Sequence, residues 1–195
     1  MGKAERTKQH IIEQAAPLFN KKGVAGTSVD DILGAAKVAK GCLYGHFSSK
    51  EEIAHETVDY LLRKLETKVL LKTGAEKTAK NKLFAFLDLY KDPVNTLLEG
   101  GCPILNFAVE ADDTDPAIKA RIQIMVKKVT DYLTAIINKG IEDNEFKGSI
   151  NATELALKIF TLIEGSIMIS RIMGNNANML NIISLLQQEI QSCEK

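Results

Sequence analysis

Apolar residues recur at three- and four-residue spacings along almost the whole chain, and period-two alternation of β-branched residues is nearly absent. That periodicity belongs to amphipathic helices. In a first helix over Lys3–Lys22, Ile11, Ala15, Leu18 and Phe19 share one face, with Ile12 and Ala16 beside them and Lys8, Glu13 and Lys21 turned away. Gly23 supplies its stop, and Pro17 is expected to kink the helix without dividing it, because the stripe continues into Phe19. Thr27-Ser28-Val29-Asp30 reads as a capping box that opens a second helix to about Ala35, with Val29, Ile32 and Leu33 inward. A short helical stretch within Ala36–Phe47 follows, and Ser48-Ser49-Lys50-Glu51 opens a long fourth helix to about Leu71.

The same pattern continues downstream. A fifth helix is expected over Ala75–Tyr90, broken at Asp92-Pro93, then a short helical piece at Val94–Leu98, broken at Gly100-Gly101. Cys102–Ala111 is a short apolar helix with Pro103 in its first turn. Asn106 and Glu110 stand four apart on one of its faces, either as a surface pair or as a polar anchor for a small ligand. Asp112–Asp115 resembles a metal loop at first sight, but Asp115-Pro116 is better read as the cap and first-turn proline of a long helix to Asn144. Phe146–Ile150 is expected as a loop. Asn151–Met173, capped by Asn151 with Glu154, and Asn178–Cys193 are the last two helices. Apolar residues nearly encircle the former, so more than one of its faces must be buried, and Gly165 and Ser166 permit close helix approach. The fold class is all-α.

Composition adds little to this picture: 195 residues, 45% hydrophobic and 26% charged, are ordinary for one large or two small globular domains. Charge adds more. The formal net charge is zero, yet residues 1–50 hold eight Lys/Arg and four acids, a charge of +4 that leaves −4 on the remainder. A basic head on an acidic body suits a head that meets phosphate. Cys42, Cys102 and Cys193 form no close pair and no metal-ligand spacing, and their odd number suits a reducing cytoplasm. Charges at the N-terminus without an apolar stretch after them give no export signal, and no apolar run approaches the ~20 residues of a membrane span. There is no phosphate-cradling glycine loop, no Ser-His-Asp set and no histidine-rich metal motif, and a zinc site at His46 and His55 lacks further ligands. Neither enzyme chemistry, metal nor cofactor is expected.

The informative stretch is Ala36-Lys37-Val38-Ala39-Lys40-Gly41-Cys42-Leu43-Tyr44-Gly45-His46-Phe47, followed by Ser48-Ser49-Lys50-Glu51-Glu52-Ile53. Lys40-Gly41, Leu43-Tyr44, His46-Phe47 and Lys50-Glu51 in one register resemble the signature of the tetracycline-repressor (TetR/AcrR) family of bacterial transcriptional regulators. The resemblance implies an N-terminal three-helix helix-turn-helix head over residues 1–60 and a helical effector-binding and dimerisation body over 61–195. It implies a homodimer through the last two helices, binding a pseudo-palindromic site on double-stranded DNA with two recognition helices about one helical turn apart. Lys40 and Lys50 would meet phosphate, Tyr44 and His46 would donate hydrogen bonds to it, and Thr27 would contact it as well. Gly41 would let the backbone approach the groove, and Cys42 is small enough to touch a thymine methyl. Three positions depart from the family: Lys37 for the turn glycine, Ala39 for the serine cap, and Cys42 for threonine.

By the same resemblance a small hydrophobic or amphipathic effector would release a repressor from its operator. Helix faces nominate Phe86, Tyr90, Asn106, Phe107, Glu110, Ile163, Ile167 and Met168 as its pocket. Two alternatives stay open: a regulator triggered by oxidation of Cys42 or Cys102, and a helical protein that has kept the head but lost DNA binding.

Overall fold

The computed structural model describes residues 2–95 and 98–195. Among them lie nine α-helices: α1 Lys3–Lys22, α2 Val29–Ala36, α3 Lys40–Tyr44, α4 Lys50–Gly74, α5 Ala79–Asp88, α6 Pro103–Ala111, α7 Pro116–Glu142, α8 Ala152–Met173 and α9 Ala177–Ser192. The chain divides into two compact units, Met1–Leu65 with Leu98–Gln123 and Glu66–Leu97 with Ile124–Lys195. This division differs from a cut near residue 60, because α6 and the first turns of α7 group with the head. The helical piece expected at Val94–Leu98 lies partly outside the described residues.

In the first unit the stripe on α1 closes as its spacing dictates, with Ile11, Ile12, Ala15, Ala16 and Phe19 buried. The helix runs through Pro17 and stops at Gly23, whose φ of 75° needs no Cβ. The cap of α2 is Ser28, one residue later than the sequence pattern suggests. Ser28 Oγ accepts from the Asp31 N–H at 3.0 Å, and Asp31 Oδ2 accepts from the Ser28 N–H at 2.9 Å, a complete capping box with Asp31 at its third position. Thr27 is turned inward, 1% exposed, and its hydroxyl donates to Gly23 O at 2.7 Å. A one-residue shift also separates expectation from structure at α4. Glu52, not Glu51, closes the cap, accepting from the Ser48 N–H at 2.7 Å while its own N–H donates to Ser49 Oγ at 3.2 Å.

In the second unit α5 is shorter than Ala75–Tyr90. Thr78 caps it by accepting from the Asn81 N–H at 3.1 Å. α4 meanwhile extends to Gly74, where Thr73 is fully buried and hydrogen-bonds Val69 O at 2.8 Å and the Tyr132 hydroxyl at 2.6 Å. Phe146, expected in a loop, is instead a core residue, 1% exposed. It seats against Gly140, where any Cβ would come within 2.4 Å of its ring, and it bridges to Glu194. α8 and α9 pack on each other, with Leu155, Ile159 and Ile163 of α8 and Met179, Ile183, Leu186 and Ile190 of α9 buried.

Two departures from the family pattern carry measurable costs in the head. Lys37 caps α2 in the left-handed region, φ 54° and ψ 42°, and Ala39 precedes α3 with no side-chain cap. Ala39→Ser is expected to stabilise the fold by about 1 kcal/mol, and Lys37→Gly by a similar amount, about 1 kcal/mol, in urea unfolding. At the α2 cap, the Ser28 N–H, Lys22 and the Ser28 hydroxyl hold the Asp31 carboxyl at about 2, below its ordinary 3.8. A depressed folded value stabilises above the unfolded value and is lost as pH falls between the two. Asp31→Asn is therefore expected to lower Tm near neutrality, and the difference from the parent should shrink as pH falls from about 4 to about 2. A difference independent of pH would remove the carboxylate from this cap.

Candidate nucleic-acid interface

α3 has only five residues and no capping side chain. Its position is set by what lies beneath it: Leu43 is fully buried and Phe47, just past its end, is 2% exposed. Lys8 Nζ sits 5.3 Å from the centre of the Phe47 ring while pairing with Glu56 at 2.6 Å. Backbone bonds close the turn, with the Leu43 N–H on Ala39 O at 3.1 Å and the Phe47 N–H on Leu43 O at 3.0 Å. With Leu43 inward, Lys40, Gly41, Cys42 and Tyr44 are exposed together, Tyr44 at 44%. A Cβ added at Gly41 would meet open space, so the backbone there is bare to an approaching surface. His46 is half-buried beside them.

The other two residues of the expected DNA-facing set are turned into the head. Thr27 has its hydroxyl on Gly23 O. Lys50 donates to Val24 O at 2.9 Å and Thr27 O at 3.1 Å, holding the α1–α2 connection against the start of α4. Nothing in the spacing of these residues distinguishes a lysine that meets phosphate from one that ties down two carbonyls.

Sequence reasoning missed the fastening of α6 to α1. Asn20 is 3% exposed, and its amide donates to Glu99 O at 2.8 Å and Gly101 O at 3.0 Å. Asn106 on α6 donates in turn to Asn20 O at 2.8 Å, Asn20 Oδ1 at 3.0 Å and Gly100 O at 3.1 Å. Gly100, at φ 100°, passes so close that a Cβ would lie 2.8 Å from the Asn20 carbonyl carbon. One turn along α6, Glu110 Oε1 accepts from the Ala25 N–H at 2.9 Å. The Asn106–Glu110 spacing was the only signal for this; Asn20 near a helix end reads as surface.

The start of α7 is held in the same unit. Asp115 caps it, accepting from the N–H groups of Ala117 and Ile118 at 2.9 and 3.0 Å, and its second oxygen meets His55 Nε2 at 2.9 Å. Burial opposes ionisation of Asp115, but the Ile118 N–H, His55 and the Ala117 N–H together hold its carboxyl below the ordinary value. Arg121 Nε donates to Asp59 at 3.0 Å.

The eight residues nominated for an effector divide between the units. Asn106, Phe107 and Glu110 lie in the first, where Phe107 and Glu110 line a cavity of about 230 Å3 with Val24 and Lys50. The Asn106 amide and one Glu110 oxygen are already engaged by the chain itself. In the second unit Phe86 and Tyr90 tilt against each other at 5.3 Å, and Ile163 and Ile167 are buried on α8. Met168 stands at the surface, 47% exposed. Cys42 is exposed, Cys102 is buried, and burial together with Glu189 pushes the part-buried Cys193 thiol up. Among the described residues no group of three or more His, Cys, Asp or Glu is placed to hold a metal, and no helix is long and apolar enough to cross a membrane.

Comparison with known proteins accounts for this arrangement. Residues 11–57 match the family model described as bacterial regulatory proteins, tetR family, and residues 79–186 match that of the tetracyclin repressor-like C-terminal domain. A TetR-family transcriptional regulator from Cytophaga hutchinsonii superposes with a TM-score of 0.92 at 35% identity, over 100% of this chain and 98% of that one. A TetR transcriptional regulator from Chloroflexus aurantiacus gives 0.93 at 33% identity, over 98% and 97%. Among curated proteins, the HTH-type transcriptional regulator TtgR of Pseudomonas putida is 28% identical over 174 residues, 84% of this chain and 80% of its own. The HTH-type transcriptional repressor DhaR of a Mycobacterium species is 24% identical over 168 residues, 86% and 84%. With family models matching residues 11–57 and 79–186, and a TetR-family structure 35% identical over the whole chain, this chain belongs to the TetR family of bacterial regulators and is a DNA-binding transcriptional regulator, not an enzyme.

Proposed function

We propose that this regulator is a cytoplasmic homodimeric repressor, released from a pseudo-palindromic operator when a small hydrophobic or amphipathic molecule binds its body. The observation that carries the DNA contact is the joint exposure of Lys40, Gly41, Cys42 and Tyr44 over buried Leu43. Lys40 supplies charge, and Tyr44 and His46 offer hydrogen bonds to phosphate oxygens; these set register, while Cys42 and the bare backbone at Gly41 meet base edges. Lys50 and Thr27 act behind this face by fixing the α1–α2 connection.

Dimerisation is supported by apolar side chains left at the surface of the α8–α9 pair. Leu157, Met168, Ile169, Ile172 and Met173 on α8 and Leu180 and Leu185 on α9 are all more than 40% exposed. A second copy that covers them would set the separation of the two recognition helices. For the effector, the second unit offers Phe86, Tyr90, Ile163 and Ile167. Ser170, three residues after Ile167 on α8, is fully buried, and its hydroxyl has no partner among the described residues. A ligand polar group would satisfy it. To lower operator affinity a hundredfold, the effector must favour the non-binding conformer by about 2.7 kcal/mol.

The reading is tested by fluorescence anisotropy with duplexes from beside the protein's own gene; absence of any binding would sink it. Tyr44→Ala is expected to weaken binding to every duplex by about tenfold, the loss of one hydrogen bond to a charged group. Lys50→Ala should lower the stability of the head by about 2 kcal/mol yet leave the salt dependence of binding near that of the parent. A flattened salt dependence would return Lys50 to the phosphate contacts. Ile172→Glu is expected to turn the dimer into a monomer in sedimentation and to weaken operator binding at least about tenfold. A variant that stays dimeric would move the interface away from α8.

A further inference from the structure

Of the eight basic residues within 1–50, four are committed inside the chain. Lys8 pairs with Glu56, Lys21 with Glu99 and Lys22 with Asp31, and Lys50 holds two backbone carbonyls. The other four, Lys3, Arg6, Lys37 and Lys40, form no ion pair and no side-chain hydrogen bond among the described residues. They are also not scattered. Lys3, Arg6 and Lys37 line one open cleft of about 500 Å3, together with Thr7 and His10, and Lys40 follows Lys37 by three residues as the first residue of α3. Glu5, the acid nearest in sequence, does not line the cleft and acts instead on Lys8. His10 Nε2 donates to Ala36 O at 3.0 Å and so fastens α1 to the turn that carries Lys37.

Lys37 supplies a second, independent observation. It is one of two non-glycine residues with positive φ among the described residues, at 54°. A left-handed lysine costs about 1 kcal/mol relative to glycine. No ion pair or hydrogen bond of its side chain among the described residues offsets that cost, and the residue is exposed and lines the cleft. Strain held where a free charge faces an open, cationic surface points to a ligand outside the chain.

We propose that Lys3, Arg6 and Lys37 form a second phosphodiester grip, separate from the recognition helix, which holds the DNA backbone flanking the segment that α3 reads. The grip rests on the DNA-binding reading above. Arg6 presents a planar fork suited to two phosphate oxygens, and the two lysines add point charges to the same cleft. Binding releases counterions from the captured phosphates, so the grip adds affinity and fixes register without selecting bases. A lysine in place of the turn glycine thus exchanges stability of the head for hold on DNA.

The test is the salt dependence of binding to an operator duplex and to an unrelated duplex, for the parent and for K3Q, R6Q and K37G, with K21Q and K22Q as controls from the internally paired set. Each cleft substitution is expected to flatten the slope of log K against log salt by about 0.9 per protomer, equally on both duplexes. The controls should stay near the parent. K37G is the sharpest variant, because it should bind DNA more weakly while unfolding at higher urea, which separates lost contact from lost structure. A parent that binds no DNA removes the underlying reading and the grip with it. A parent that binds normally, with unchanged slopes in all three variants, overturns the grip alone. Equal flattening in K21Q and K22Q would reveal only overall charge and would overturn it, as would losses confined to one operator sequence. Inorganic phosphate that binds the DNA-free protein tightly, and is lost in R6Q, would assign the cleft to a free phosphate ligand and not to DNA.

Discussion

A helix of five residues does not stand by itself in water. Nucleation fixes several residues before the first hydrogen bond repays it, and isolated helices shorter than about 12 residues are marginal even with good propensities. α3 carries a glycine and lacks a side-chain cap, which lowers its intrinsic stability further. It exists because Leu43 and Phe47 are driven out of water into the core, each worth about 2 kcal/mol on burial. The exposed face of α3 is therefore a by-product of core packing. With Leu43 and Phe47 buried, Lys40, Gly41, Cys42 and Tyr44 remain exposed.

The surroundings of that helix are fixed by side chains that bind backbone. Lys50 gathers two carbonyls of the α1–α2 connection, Glu110 takes the N–H of Ala25 from the other side, and Asn20 and Asn106 join the end of α1 to the Gly100 turn. Each such bond is modest, about 1 kcal/mol, but each also satisfies a polar backbone group that would be costly to leave bare. Because α6 and the start of α7 share a compact unit with the head, residues 98–123 form part of the frame that orients the recognition helix. That grouping gives the short apolar helix after the double glycine a mechanical role alongside any contact with a ligand.

The helices themselves were legible in the sequence because apolar spacing, proline and glycine act locally. Gly23, Pro103, Asp115-Pro116 and Asn151 mark helix ends in the structure as their chemistry requires. Capping boxes were legible only to within a residue, since Thr27 and Ser28, or Ser48 and Ser49, are equally good candidates until one is buried. Thr27 went inward and Ser28 took the cap. Roles that depend on distant partners were not legible. Lys50 and Lys40 are alike in sequence, but one finds carbonyls within reach and the other does not. Phe146 looked like a loop residue because the pocket that receives it is made by the absence of a side chain at Gly140.

The amide of Asn106 has a consequence for the lifetime of the folded molecule. It donates at once toward three oxygens, those of Asn20 O, Asn20 Oδ1 and Gly100 O, and a carboxylate at that position has no proton to offer them. Hydrolysis of this one amide, a slow chemical ageing that leaves the polypeptide unbroken, would set a negative charge against three acceptors. The joint between α1 and α6 would then lose all three of these bonds, which only an amide at this position can supply.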